Sequence, residues 1–239
     1  MDSAAYDLHG IALLDYWKGE KDAVTVLEYR DGRTRRIPAS IYFRDPDHFF
    51  PDEETAIAKC VGKVLVAGGG AGVHVLPLIE AGLEVTAIDV SAAAVEVMRA
   101  RGIQNVWCED FFEHRGTYDT VLLLGRNIGI AGTLSGLPRL LEKCDSLLPN
   151  QGVVIANSGA ERREKPVRRV SGYAGEIEFR IRYRESVGSW VHWLHIDFDT
   201  LADIATSQGW LVAQIANCSD GSFAATLRQR ANSESIAGE

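Results

Sequence analysis

The chain has 239 residues, 46% hydrophobic and 24% charged, with a formal net charge of -8. That length holds one large α/β domain or two small ones, and the acidic balance counts against a general nucleic-acid or anionic-membrane binder, which needs a basic footprint. Cys60, Cys108, Cys144 and Cys218 are scattered, with no CxxC pair and no metal-ligand spacing. A reducing cytoplasm and no metal are therefore expected. The opening MDSAAYDLHG lacks the basic start and apolar core of a secretory signal. No apolar run approaches the roughly 20 residues that span a bilayer.

In chain order, LHGIALLDYW (8–17) predicts a short amphipathic helix, and its Tyr16 and Trp17, with Tyr6, either cover a site or simply pack. AVTVLEYRDGRTRRIPA predicts a hairpin turning at Asp31-Gly32. From Lys63 the pattern alternates, with strands predicted at 63–67, 84–89, 104–107, 119–124 and 152–157 and helices at 74–81, 91–101 and 134–148. Pro77 makes the first of these helices start late, and Ser91 can cap the second. Short apolar strands separated by helices give a mostly parallel sheet covered on both faces, in a doubly wound (Rossmann-like) α/β fold. Ligands in such folds bind beyond the carboxyl ends of the strands.

The last third breaks that rhythm. EIEFRIRYR (176–184) alternates apolar with charged residues and SWVHWLHID (189–197) follows, which predicts an antiparallel hairpin inserted at 175–197. A helix is expected near 200–208, capped by Asp199 or Thr200. WLVAQIAN and SFAATLRQ, joined at Ser219-Asp220-Gly221, then end the seven-stranded sheet in a hairpin. The expected organisation is a helix-and-hairpin cap at 1–58, a core at 59–230 and a disordered tail at 231–239.

VLVAGGGAGVHV (64–75) follows a strand with glycines at 68, 69, 70 and 72. Glycine admits positive φ and a close backbone approach to a ligand. A dinucleotide fingerprint would need glycine at 73, where Val73 stands. Asp89 ends the second strand, where a carboxylate either accepts from both hydroxyls of a ribose or only charges the start of the next helix.

In this order the motifs resemble class I S-adenosylmethionine-dependent methyltransferases, over residues 60–228. VLVAGGGAG is similar to their first motif, AIDVS to the ribose-binding acid, CEDFFEH to the adenine-contacting acid, YDTVLLLGRN to the fourth strand and its loop, and LLPNQGVVIANS to the turn into strand five. The sequence departs from the pattern at Val66, where the family often has an acid, and at Asn150-Gln151-Gly152. The resemblance implies S-adenosylmethionine as cofactor, shaped by Gly68, Gly70 and Gly72. Asp89 and Val90 would lie at ribose, Asp110 and Phe111 at adenine, and Gly125 near the methionine end.

Arg126 and Asn127 then become the candidates beside the acceptor, with His195 as a candidate general base. The expected partner is a small-molecule acceptor, with room for a homodimer. Rival readings are an NAD-dependent oxidoreductase and a non-catalytic adenosyl-cofactor-binding protein. A nucleic-acid acceptor would need Arg162, Arg163, Lys165, Arg168, Arg169, Arg180, Arg182 and Arg184 to form one basic surface rather than a solvated flap. His192 and His195 point to opposite faces on a strand, as do Trp190 and Trp193, so no HxxH metal site is expected.

Overall fold

The computed structural model describes residues 3–159 and 172–230. Helix α1 (Ser3–Trp17) leads into the hairpin β1 (Val24–Tyr29) and β2 (Thr34–Pro38), whose turn holds Gly32 at φ 85°. The helix is longer than LHGIALLDYW alone suggests. A helix that the sequence reading did not anticipate follows, α2 (Pro51–Ala58). Its start signals are nonetheless present: Pro51 opens it, Asp52, Glu53 and Glu54 fill the first turn, and Glu53 accepts from the Phe50 N–H at 3.0 Å.

The alternating region then gives β3 (Lys63–Ala67), α3 (Val75–Glu80), β4 (Glu84–Asp89), α4 (Ala92–Ala100), β5 (Val106–Cys108), β6 (Thr120–Leu123), α5 (Leu137–Ser146) and β7 (Val153–Gly159). Pro77 sits in the first turn of α3, and Ser91 Oγ caps α4 by accepting from the Ala94 N–H. Strand β5 starts two residues later than its sequence suggests. The remaining elements are β8 (Glu176–Tyr183), β9 (Ser186–Val187), β10 (Val191–Leu194), α6 (Phe198–Ser207), β11 (Trp210–Asn217) and β12 (Ser222–Gln229). The cap of α6 is Asp197, whose carboxylate accepts from the Thr200 N–H at 2.9 Å, rather than Asp199 or Thr200.

Seven strands form the large sheet in the order β11-β12-β7-β6-β3-β4-β5. Strands β3 to β7 are parallel, and β12 runs antiparallel to both β7 and β11. Helices α5 and α6 cover one face through Leu140, Leu141 and Leu201; α2, α3 and α4 cover the other through Ala56, Leu78 and Met98. With both faces covered, these strands read as continuous apolar runs. Strand order reverses between β3 and β6, so the loops after these two strands open side by side at the carboxyl edge.

The N-terminal hairpin and the inserted hairpin are one structure. They form a second, antiparallel sheet in the order β10-β8-β1-β2, with β9 paired to β8. Leu27 lies between Arg35 and Ile181 in the register. The inner face is apolar, with Phe179, Ile181, Val191 and Trp193 packed against Ala5 and Tyr6 of α1. On the outer face Glu28 takes Arg180 at 2.8 Å and Arg182 at 3.1 Å, while Glu178 takes Arg30 at 2.9 Å.

Candidate functional site

The glycine loop turns sharply after β3. Gly68, Gly70 and Gly72 take φ values of 76°, 54° and 82°, which L side chains rarely adopt. The N–H groups of Gly68 and Gly69 both donate to the Ile88 carbonyl at 2.9 Å, tying the loop to the end of β4. Asp89 sits there, and its two carboxylate oxygens accept one N–H each, from Gly70 and from Ser91, both at 2.9 Å. Each oxygen keeps a lone pair for a ligand hydroxyl. Burial raises the Asp89 carboxyl above the usual range, against the pull of the Ser91 and Gly70 N–H groups. A Cβ on Gly70 would stand 3.6 Å from Tyr42 Cδ1 and 4.0 Å from Leu13 Cδ1, so it would fill the space between the loop and the elements over it.

The loop after β6 completes the neighbouring wall. Gly125 and Arg126 both lie in the left-handed region, at φ 71° and 64°. A non-glycine residue there is strained and is held by its surroundings. In this case the Arg126 N–H donates to Asn157 Oδ1 at 2.8 Å, and Asn157 Nδ2 donates to the buried Asp52 at 2.9 Å. Asn127 does not reach outward toward an acceptor. Its amide donates to the carbonyls of Ala67 at 2.8 Å and Gly68 at 3.0 Å, clamping the two loops together. It is therefore a positioning residue.

At the third strand, Asp110 Oδ1 accepts from the Phe112 N–H at 2.9 Å, at the head of a turn. The Phe111 ring is 2% exposed and packs in the core below α5 and α6. Val90 is half-buried, and its carbonyl faces Cys108 Sγ at 3.6 Å.

The helical turn after β2 (Ala39–Phe43) and α1 supply the residues that sequence reasoning missed. Tyr42 leans over Gly70, and His9 of α1 meets the Tyr42 ring edge-on with centroids 4.6 Å apart. Burial lowers His9 to about 4 and pushes Tyr42 up to about 12, so both are neutral at pH 7. Trp193 packs its indole on Gly129, where any Cβ would collide with Nε1. Trp190 points the other way, under the Arg30 guanidinium at 4.0 Å. His192 is exposed on the outer face, whereas His195 is 9% exposed with no partner for Nδ1 among the described residues. Burial, then the charges of Arg126 and Arg35, lower His195 to about 4. The alternation of β10 anticipates these opposed directions; the cleft positions of His9 and Tyr42 have no local signature.

Arg180, Arg182 and Arg184 form no free basic surface, since each is paired with an acid. Residues 162–169 lie outside the described residues, as does the tail at 231–239. Among the described residues no cluster of His, Cys, Asp and Glu could hold a metal, the four cysteines are unpaired, and no helix is long and apolar enough to cross a membrane.

A doubly wound sheet with a terminal antiparallel hairpin, a glycine loop and an acid at the end of the next strand defines a nucleoside-binding Rossmann-like domain. Among solved structures the chain is similar to a SAM-dependent methyltransferase from Bacteroides fragilis, crystallised with S-adenosyl-L-homocysteine, at 32% identity. That match covers 95% of this chain and 96% of the other, with a TM-score of 0.85. The chain belongs to the S-adenosylmethionine-dependent methyltransferases. The fold is shared with the sugar N-methyltransferase KedS8 from Streptoalloteichus, at 15% identity and TM-score 0.57, covering 80% of this chain and 92% of that one. It is also shared with the amino pentose methyltransferase CalS10 from Micromonospora echinaspora, at 16% identity and TM-score 0.55, covering 80% and 95%. No family model matches the sequence, and no curated protein does.

Proposed function

We propose that the protein transfers the methyl group of S-adenosylmethionine to a small-molecule acceptor in the cleft between its two sheets. The observation that carries this reading is the convergence of the glycine loop, Asp89 and the Arg126–Asn127 turn beneath Leu13 and Tyr42. The residues present fit an adenosyl group: open loop backbone at Gly70, and a carboxylate with a free lone pair on each oxygen. When bound, the cofactor supplies a methyl group activated on a sulfonium, ready for in-line displacement.

The protein's part is alignment and exclusion of water. Gly68, Gly70 and Gly72 shape the bed, Asp89 takes the ribose hydroxyls and Asp110 lies at the base. Asn127 fixes the spacing between the β3 and β6 loops. Arg126 and Trp193 border the acceptor, and His195, neutral at pH 7, can accept a proton or donate a hydrogen bond. The unpaired thiols suit a reducing cytoplasm.

Calorimetric titration with S-adenosylhomocysteine tests the cofactor, with NADH and the Asp89→Ala variant alongside. Micromolar binding of the homocysteine nucleoside, weakened in the variant and absent for NADH, is the expected result. Binding of NADH instead would overturn the reading.

A further inference from the structure

Two arginines face the acceptor end of the cleft without a counter-charge among the described residues. Arg35 is exposed on the edge strand β2. Its register partner is Leu27, whose other partner is Ile181, and cross-strand partners share a face. Arg35 therefore lies on the inner face of the small sheet, the face that carries Trp193 onto Gly129. The next residue, Arg36, pairs with Val26, whose other partner is Arg182, and belongs to the outer face.

Arg126 approaches from the other side, at the head of the turn after β6, in a left-handed conformation that the Asn157 side chain stabilises. His195 follows β10 into the same region, anchored where the Ile196 N–H donates to Ser158 Oγ at the end of β7. Its Nδ1 is buried and has no partner among the described residues. An orphaned buried nitrogen calls for an explanation in a native fold.

Three nearby acids are already engaged. Glu53 accepts from Arg44 at 2.9 Å and pairs with His74 at 3.0 Å, Asp52 accepts from Asn157, and Asp89 accepts two backbone N–H groups. Meanwhile Arg30, Arg180 and Arg182, on the solvent side of the same small sheet, are matched to glutamates. Arg35 and Arg126, by contrast, form no ion pair among the described residues.

We propose that the acceptor carries an oxyanion of the carboxylate or phosphate class, gripped between Arg35 and Arg126, with His195 Nδ1 as a third contact. This rests on the methyl-transfer reading and names the substrate class of the same site. A guanidinium presents a planar fork that matches both anions. His195 stays neutral beside the two cations, so it adds a hydrogen bond without a third positive charge.

The test loads the full-length protein with S-adenosylhomocysteine and titrates it with phenylphosphonate, benzoate and neutral benzyl alcohol. Wild type, Arg35→Gln, Arg126→Gln and Arg36→Gln are compared. The expected result is binding of at least one anion and not of the alcohol, weakened about tenfold or more in Arg35→Gln and Arg126→Gln and unchanged in Arg36→Gln. S-adenosylhomocysteine affinity, which checks folding, holds in Arg35→Gln and Arg36→Gln. The anion that binds more tightly assigns the class. Tight binding of the homocysteine nucleoside with no anion binding overturns the substrate class and leaves the methyl-transfer reading standing. Equal weakening in Arg36→Gln, or equal binding of the alcohol, overturns it too. Failure of wild type to bind S-adenosylhomocysteine overturns both.

Discussion

The large sheet and the small sheet meet at one cleft, yet they are built on different principles. In the large sheet the parallel strands β3, β4, β6 and β7 are largely buried on both faces, and helices join β3 to β4, β4 to β5 and β6 to β7, so the loops there are set by short stretches of chain. In the small sheet one face is apolar and the other is laced with Glu28, Glu178 and their arginines, and the central pairing of β1 with β8 joins distant segments. In the proposed site the cofactor residues lie on the first sheet, while Trp193 and Arg35 join Arg126 from the second, so part of the acceptor end is specified by assembly of distant segments.

That division can be broken experimentally. The largest effect is expected for Asp89→Ala, which removes a charged acceptor for two hydroxyls. Cofactor affinity should fall about a hundredfold, or about 3 kcal/mol, and unchanged affinity by calorimetry would remove Asp89 from the site. Next comes Gly129→Val, whose side chain would run into the Trp193 indole. Overpacking of about 1–3 kcal/mol should push the two sheets apart at the acceptor end, cutting methyl transfer about tenfold or more while cofactor affinity holds. A matched loss of both would mean that the two ends are one unit.

A pH series sharpens the comparison further. His9 and His195 are both lowered from 6.5 to about 4 by burial between the sheets. Between those values the unfolded chain binds protons that the folded chain refuses, so stability should fall as pH drops from about 6.5 toward 4, by ~1–3 kcal/mol per histidine. Denaturant midpoints at neutral and acid pH measure this, and His195→Gln should flatten part of the slope. The smallest effect is expected for Glu28→Gln on the outer face, under about 1 kcal/mol, with transfer unaltered. A large loss of transfer there would show that the outer face matters to the site.

Sequence reading reached the large sheet because its signals are local. Ser91 ahead of an alanine-rich run is a cap wherever the chain goes, and the VLVAGGG stretch can only leave a strand by a tight turn. It set the cap of α6 two or three residues late because Asp197, Asp199 and Thr200 offer similar chemistry, and only the path of the chain chooses among them. Helix α2 escaped because eight residues with buried acids, Asp52 and Glu53, show little apolar stripe. The positions of Arg35 and Asn127 were hidden for a different reason. TRRIP reads as a polar edge until its partner strand is known, and Asn127 looks like an acceptor contact until Gly68 is seen beneath its amide.

The pairing of β1 with β8 also sets a timetable for synthesis. Glu28 and Arg180, which meet across it, are 152 positions apart. At the usual pace of a ribosome the first hairpin waits roughly 8 to 30 s for its partner, and a lone two-stranded hairpin is marginal in water. During that interval Leu27 and Tyr29 have no β8 beside them, and even when it arrives the large sheet still awaits α6, β11 and β12, so the roof closes before the floor is complete.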